Sequence, residues 1–450
     1  MASNDGGRAA SKPQRPVMHM NPRIEKDRQM ILDAKAKGRG PLLKVFMKLS
    51  GPGWLQSGIT LGGGSLSSSL YLGVLVGFSF MWLQPLAMIL GVIMLSAIAY
   101  VTLSTGERPL RGINEHVSPV LGWGWLLASM MANLVWSLPQ FALGTAAIRQ
   151  NLLPGFIGPG VMGEIPGKMI AGALFLVIAL TATLTYSAGG RGVKVFEIVV
   201  KCMVGTTVLC FIGVVVTLTT SGALAWGTIL NGFIPRLSLL SQPVPAFHEY
   251  IAAVPQQFQG FWTDLIVGQQ RDVMISAAAT AVGINMTFLF PYSMLRKGWD
   301  RDFRELAIFD LSTGLFFPFL LATSCVVIAS ASQFNAVPAR GFFPLEGQTV
   351  NTQGQIVDAD GQIIEPDPNL AGRYVALLGQ RLAIEYPDQV AEWSPAEKLA
   401  RAEELSAADK RMAAMLVKRD AFDLAAALAP LTGRRIARYV FGLGVLGMAM

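Results

Sequence analysis

The feature that most constrains this chain is a succession of apolar runs, each about as long as a bilayer is thick. They lie at about 52–76, 79–103, 120–147, 169–187, 196–219, 273–295 and 308–332, and an eighth opens at about 436. A helix rises 1.5 Å per residue, so roughly 20 apolar residues cross about 30 Å of hydrocarbon. Charge is correspondingly scarce. Only 14% of the 450 residues are charged and 52% are hydrophobic, against about 25% charged in soluble domains. The mean hydropathy is +0.46. The chain therefore reads as an all-α polytopic membrane protein.

Basic residues then set the expected orientation. The N-terminal 42 residues carry nine Lys and Arg, from Arg8 to Arg39. Arg108 and Arg111 follow the second run, Arg191 and Lys194 the fourth, and Arg296, Lys297, Arg301 and Arg304 the sixth. If every run crosses, all of these share one side, which the positive-inside rule makes the cytoplasm. Residues 1–42 are expected as a cytoplasmic basic tail, with 22–38 a surface helix that can meet anionic lipid headgroups. Residues 43–332 then hold transmembrane helices 1–7 of a multi-pass protein of the cell membrane. The net charge of +7 is accounted for by this bias, so no nucleic-acid partner is implied. Cys202, Cys210 and Cys325 all sit in apolar runs and suggest no disulfide framework.

Two of the runs are interrupted. The first contains Gly62-Gly63-Gly64-Ser65, and each glycine disfavours helix by roughly 1 kcal/mol relative to alanine. Backbone that leaves a helix at membrane depth must line a cavity or be covered by protein. The competing reading is that small residues let helices pack closely. The sixth run contains Asn285, Thr287, Phe290 and Pro291. Pro291 lacks an amide donor and is expected to break that run near its middle. Interruptions at corresponding places in two halves point to a binding site between inverted repeats. The candidate substrate-binding set is Gly62, Gly63, Gly64, Ser65, Asn285, Thr287, Phe290 and Pro291. Asp310, at the start of the seventh run, is expected in an N-cap or interfacial role.

Residues 333–432 form a long insert on the opposite, extracytoplasmic side. A hairpin is expected around Asp360-Gly361. Amphipathic helices are expected over 394–427, starting at a Ser394-Pro395 cap. Residues 433–450 read as the start of transmembrane helix 8, so the chain is expected to stop inside a membrane segment, as a fragment or with two or more helices still to follow.

The order of these signals resembles the Nramp family of proton-coupled divalent-metal transporters, within the amino acid–polyamine–organocation superfamily. Gly51-Pro52-Gly53-Trp54-Leu55 is similar to that family's first-helix opening, and Gly62–Ser65 falls on its Asp-Pro-Gly-Asn motif. Leu143-Gly144-Thr145-Ala146 resembles its third-helix Ile-Gly-Thr-Ala, Gly189–Lys194 the loop entering its fifth helix, and Phe290-Pro291-Tyr292-Ser293 its sixth-helix Met-Pro-His-Asn. The resemblance implies a LeuT-like inverted-repeat fold with discontinuous helices 1 and 6. It also implies metal ligands at the positions of Gly62, Ser65 and Phe290, where this chain has none. The family's third-helix acids fall near Leu138 and Phe141. No Asp, Glu or His occupies the interior of runs one to four or six.

The expected function is secondary transport on this scaffold, with divalent-cation selectivity altered by the missing ligands. A partly hydrated hard ion such as Mg²⁺ suits carbonyls and hydroxyls better than a transition metal does. The alternatives are a carrier of an amino acid or other organic or anionic solute, held at half-helix N-termini, and a non-transporting sensor. The transported ion or solute and the bilayer are the expected partners. No nucleophile–base pair or phosphate loop suggests an enzyme, and no cofactor is called for.

Overall fold

The computed structural model describes residues 22–158, 160–187, 191–366, 368–419, 442–443, 445–447 and 449. The fold is almost entirely helical. Helices α1 (Pro22–Ala36) and α2 (Arg39–Leu49) precede the first apolar run. That run makes two helices, α3 (Pro52–Thr60) and α4 (Gly63–Val76), bent by 51° at the join. Then come α5 (Leu83–Thr105), the short α6 (Pro109–His116) and α7 (Pro119–Ala146), which ends in a π-helical turn over Ala147–Leu152. The one-turn α8 (Pro154–Ile157) leads to α9 (Glu164–Ser187) and α10 (Arg191–Thr220).

Short helices α11 (Trp226–Asn231) and α12 (His248–Ala252) lead to α13 (Gln256–Ala281) and α14 (Ile284–Arg296). Next, α15 (Arg304–Asp310) passes through a π-helical turn at Leu311–Leu315 into α16 (Phe316–Phe334). Helix α16 is buried over most of its length and packs along α4, α10 and α5. Helices α7 and α9 instead turn most of their apolar surface outward, with Leu121, Leu134, Leu138 and Leu180 exposed. A soluble protein rarely tolerates so broad an apolar face. A bilayer supplies its cover.

The second interruption does not lie where Pro291 predicted it. Pro291 sits inside a continuous α14, and the chain leaves the helix at Val282 and Gly283, both extended (ψ 105° and 157°). A proline inside a helix forfeits one backbone bond, which neighbouring packing in a membrane protein can absorb. The sixth span also starts earlier than its hydropathy suggested, because α13 runs back to Gln256.

Contacts place the elements on two faces. On one, Arg28 pairs with Asp300 (2.6 Å) and Asp302 (3.2 Å), and Lys35 pairs with Glu305 (2.7 Å). Arg304 of the same region reaches Ser104 at the end of α5. Helix α1 thus docks on the protein itself through Arg28 and Lys35, which meet Asp300, Asp302 and Glu305 in a loop of mixed charge.

On the other face, Asn335 donates to the Val74 carbonyl, and Gln270 holds Leu239, Gln242 and Val244 of the 232–254 segment. The insert is there too. Its hairpin pairs β1 (Thr349–Val350) with β2 (Ile356–Val357) around Gly354, and a single bridge from Val357 to Ile363 closes a second turn at Asp358–Gly361. The expected turn at Asp360-Gly361 is therefore the smaller of two.

Three helices follow, α17 (Pro368–Glu385), α18 (Pro395–Glu404) and α19 (Ala407–Leu416). They do not form a separate body. Arg381 and Asp409, both buried, meet at 3.2 Å, and Asp409 also accepts from Trp262 of α13 at 2.7 Å. Leu378, Leu382 and Met412 join the same hydrophobic cluster as the membrane helices. The expected helix beyond 420 and most of 433–450 lie outside the described residues.

Candidate functional site

The two interruptions meet. Gly62, extended at ψ −177°, ends the turn after α3, and a cavity of about 50 Å³ opens beside it. Thr60, Gly62, Gly64 and Ser65 line it from the first span, Thr280, Gly283, Asn285 and Met286 from the sixth, and Trp136 and Gln140 from α7. Ser65 donates to the Thr280 carbonyl at 2.8 Å, tying the start of α4 to the end of α13. Thr60 donates to the Met286 sulfur at 3.2 Å. The Asn285 amide bridges α7 and its own helix, donating to Asn133 Oδ1 and accepting from the Met286 amide, both at 3.1 Å. Among the described residues lining this cavity there is no Asp, Glu or His.

Both readings of the glycine triplet hold at once. Gly62 carries the break, and it also brings α7 close. A Cβ on Gly62 would lie 2.2 Å from the Gln140 amide nitrogen, and one on Gly64 would lie 2.1 Å from the Trp136 ring. Trp136 then borders three cavities in sequence. On the insert side lies a vestibule of about 840 Å³ that shares Gly64 and Trp136 with the central cavity. Toward α10 lies one of about 260 Å³, lined by Leu55, Val200 and Val204, which shares Trp136, Gln140 and Asn285 with it. Three cavities therefore lie against Trp136, and the smallest of them is the one where the two spans are interrupted.

The candidate residues divide. Gly62, Gly64, Ser65 and Asn285 border the central cavity. Gly63 begins α4. Thr287 faces α7 instead, accepting from Trp125 Nε1 at 3.1 Å, and Phe290 and Pro291 are buried further along α14. The backbone break of the sixth span therefore lies two turns before Pro291. Thr60, Trp136, Gln140 and Met286 were missed. Each carries a polar, aromatic or sulfur group that fits a helix core equally well, and only Val282-Gly283, a β-branched residue and a glycine, marked the true break.

The family model described as natural resistance-associated macrophage protein-like (Nramp) matches residues 53–359, more than half of the chain. The chain belongs to the Nramp family. The metal transporter Nramp6.2 of Populus trichocarpa is 27% identical over 199 residues, 44% of this chain and 33% of the relative. The chain thus spans about a third of the length of this curated relative. Among solved structures, a mutant of the Eremococcus coleocola manganese transporter superposes with a TM-score of 0.45 at 14% identity, over 90% of this chain and 69% of that one. The same transporter bound to an aromatic bis-isothiourea compound gives 0.45 at 15% identity, over 92% and 71%.

Within the Nramp frame the site departs from the metal-ligand positions that the resemblance implied. Gly62 offers backbone only, Ser65 is engaged with Thr280, and Phe290 is outside the cavity. The thioether that does face the first-span break belongs to Met286, one turn earlier in α14. Leu138 and Phe141, at the third-helix positions, are exposed on the outer surface of α7.

The fully buried Asp310 lies at a different junction. Its carboxylate accepts from the Ser50 hydroxyl, from the Gly51 amide (3.1 Å) and from the Gly53 amide (2.6 Å). It therefore closes the N-terminus of α3 across the fold rather than capping its own helix, where a negative charge offsets the helix dipole. Lys201 of α10 adds a bond to the Ser50 carbonyl at 3.1 Å. The side chain of Glu197, one helical turn before Lys201, lies outside the described residues. A group of Glu107, Glu115 and His116 clusters around α6, with Glu115 and His116 exposed, and none of the three lines the cavity.

Proposed function

We propose that the protein is a secondary transporter of a divalent cation whose selectivity differs from that implied by the family's usual ligands. The observation that carries the reading is the convergence of both interrupted spans on one cavity lined by neutral oxygen donors and one thioether. A cavity needs roughly 10–15 Å³ to hold a water, so about 50 Å³ has room for a partly hydrated ion rather than one with a full hydration shell. Hard oxygen donors suit Mg²⁺ or Mn²⁺, and the Met286 sulfur shifts preference toward the softer ion. With no carboxylate among the described residues of the cavity, binding is expected to be weak and to release no protons from that lining. The N-terminal face is assigned to the cytoplasm and the insert face to the outside of the cell membrane, on the strength of the basic loops.

A second reading, carriage of an organic or anionic solute, is favoured by a different observation. The insert-side vestibule is walled by Arg373, Lys418 and Arg419. Proteoliposome flux against Mn²⁺, Mg²⁺ and a panel of amino acids separates the two. Saturable Mg²⁺ uptake, or Mn²⁺ uptake without proton movement, supports the first, saturable Mn²⁺ uptake with proton movement contradicts its altered selectivity, and amino-acid uptake without metal uptake supports the second. Background uptake of all of them contradicts both and leaves the sensor reading.

A further inference from the structure

We infer that the insert builds an anion-binding site in the vestibule, separate from the central cavity, for a small organic carboxylate with an apolar body. The vestibule, at about 840 Å³, falls within the size range of small-molecule pockets. Its floor and one wall are membrane-helix residues, including Tyr71, Trp136 and Val273. Its opposite wall comes from the insert, where α17 contributes Arg373 and the segment after α19 contributes Lys418 and Arg419. Among the described lining residues, Asp272 of α13 is the one carboxylate, so three cations face a single anion across one concavity.

Basic residues just past a helix C-terminus commonly serve the helix dipole, and Lys418 and Arg419 follow α19 in that way. Two contacts say more. Arg373 donates to the Lys418 carbonyl at 2.5 Å, and Arg419 donates to the Val337 carbonyl. The first bond holds the Arg373 guanidinium to a neutral carbonyl at the vestibule wall, so it positions that charge without cancelling it, while Arg419 also lies over the Phe334 ring. Cations gathered in a cleft with low-dielectric walls raise the local concentration of anions. The aromatic and aliphatic walls then favour an anion with an apolar body over a bare inorganic one. Such a site needs no transported cation, so it stands or falls apart from the metal-transport reading; it rests on the residues that favour solute carriage, and benzoate binding without benzoate uptake distinguishes the two.

The test is calorimetric titration of the full-length protein in detergent with benzoate and with its neutral analogue benzamide. Benzoate is expected to bind at least about tenfold more tightly than benzamide and to weaken as salt rises. Lys418→Gln and Arg373→Gln should each weaken benzoate about tenfold and leave benzamide unchanged, while Asp272→Asn should tighten benzoate. Thermal unfolding midpoints of the variants check that the insert remains docked, and Lys418→Gln alone decides the matter if Arg373→Gln does not fold. Equal affinity for benzoate and benzamide, no benzoate binding, or benzoate affinity indifferent to Lys418→Gln would each overturn the proposal.

Discussion

At the scale of single residues, the site depends on what Gly64 lacks. A methyl group there would meet the Trp136 ring at 2.1 Å, so Gly64→Ala is expected to cost about 1–3 kcal/mol as an overpacked contact. Trp136→Leu in the same chain should recover part of that loss, and a double-mutant cycle in unfolding midpoints would detect the coupling. Met286 presents its sulfur to Thr60. Met286→Leu keeps the volume and removes the thioether, so stability should change by less than about 1.5 kcal/mol while preference for Mn²⁺ over Mg²⁺ falls in competition uptake. Phe290 is fully buried and away from the cavity. Phe290→Ala should therefore cost about 3–5 kcal/mol without altering selectivity. Gly62, Ser65 and Asn285 were legible because polar or helix-breaking residues in an apolar run have few uses. Trp136, Gln140 and Met286 were not, since their position depends on α7 crossing the break, which no local pattern encodes.

At the scale of elements, α3 is a nine-residue helix whose N-terminus is closed by Asp310 from another span. Asp310→Asn keeps an acceptor but loses the charge, and about 1–2 kcal/mol of local stability should go with it. Faster amide exchange at Gly51 and Gly53, with exchange in α16 unchanged, is the expected readout. In the insert, Ser394 and Glu397 form a reciprocal capping box at the start of α18. The Ser394 hydroxyl and amide hold the Glu397 carboxyl below its ordinary value of 4.5. A carboxyl lowered on folding contributes stability above its unfolded pKa and loses it as pH falls through the folded pKa. Exchange protection of α18 should therefore decline below about pH 4.5, and Glu397→Ala should remove that pH dependence. The first break was legible from three successive glycines. The second was not, because Pro291 is a stronger local signal than Gly283, yet tertiary packing lets the helix run through the proline.

At the scale of the molecule, the insert is fastened to the transport scaffold where Trp262 of α13 donates to Asp409, which is itself paired with Arg381 inside the insert. Asp409 receives Arg381, Trp262 and Ser406. Asp409→Ala leaves the buried Arg381 guanidinium without this partner and should cost about 3–5 kcal/mol, read as proteolytic release of residues 368–419. A paired replacement, Arg381→Met with Asp409→Leu, should restore much of that stability. Hydropathy made the spans legible in number and order, because a bilayer demands about 20 apolar residues of each. It left the docking of the insert unread, since that rests on three polar groups distant in sequence. The central claim is that substrate passes through the cavity where the two interrupted spans meet. It is tested most directly by Mg²⁺ and Mn²⁺ uptake into proteoliposomes of the full-length protein and of its Gly62→Leu variant. Saturable uptake by the first and background uptake by a folded variant is the predicted result, and equal uptake by the two would contradict it.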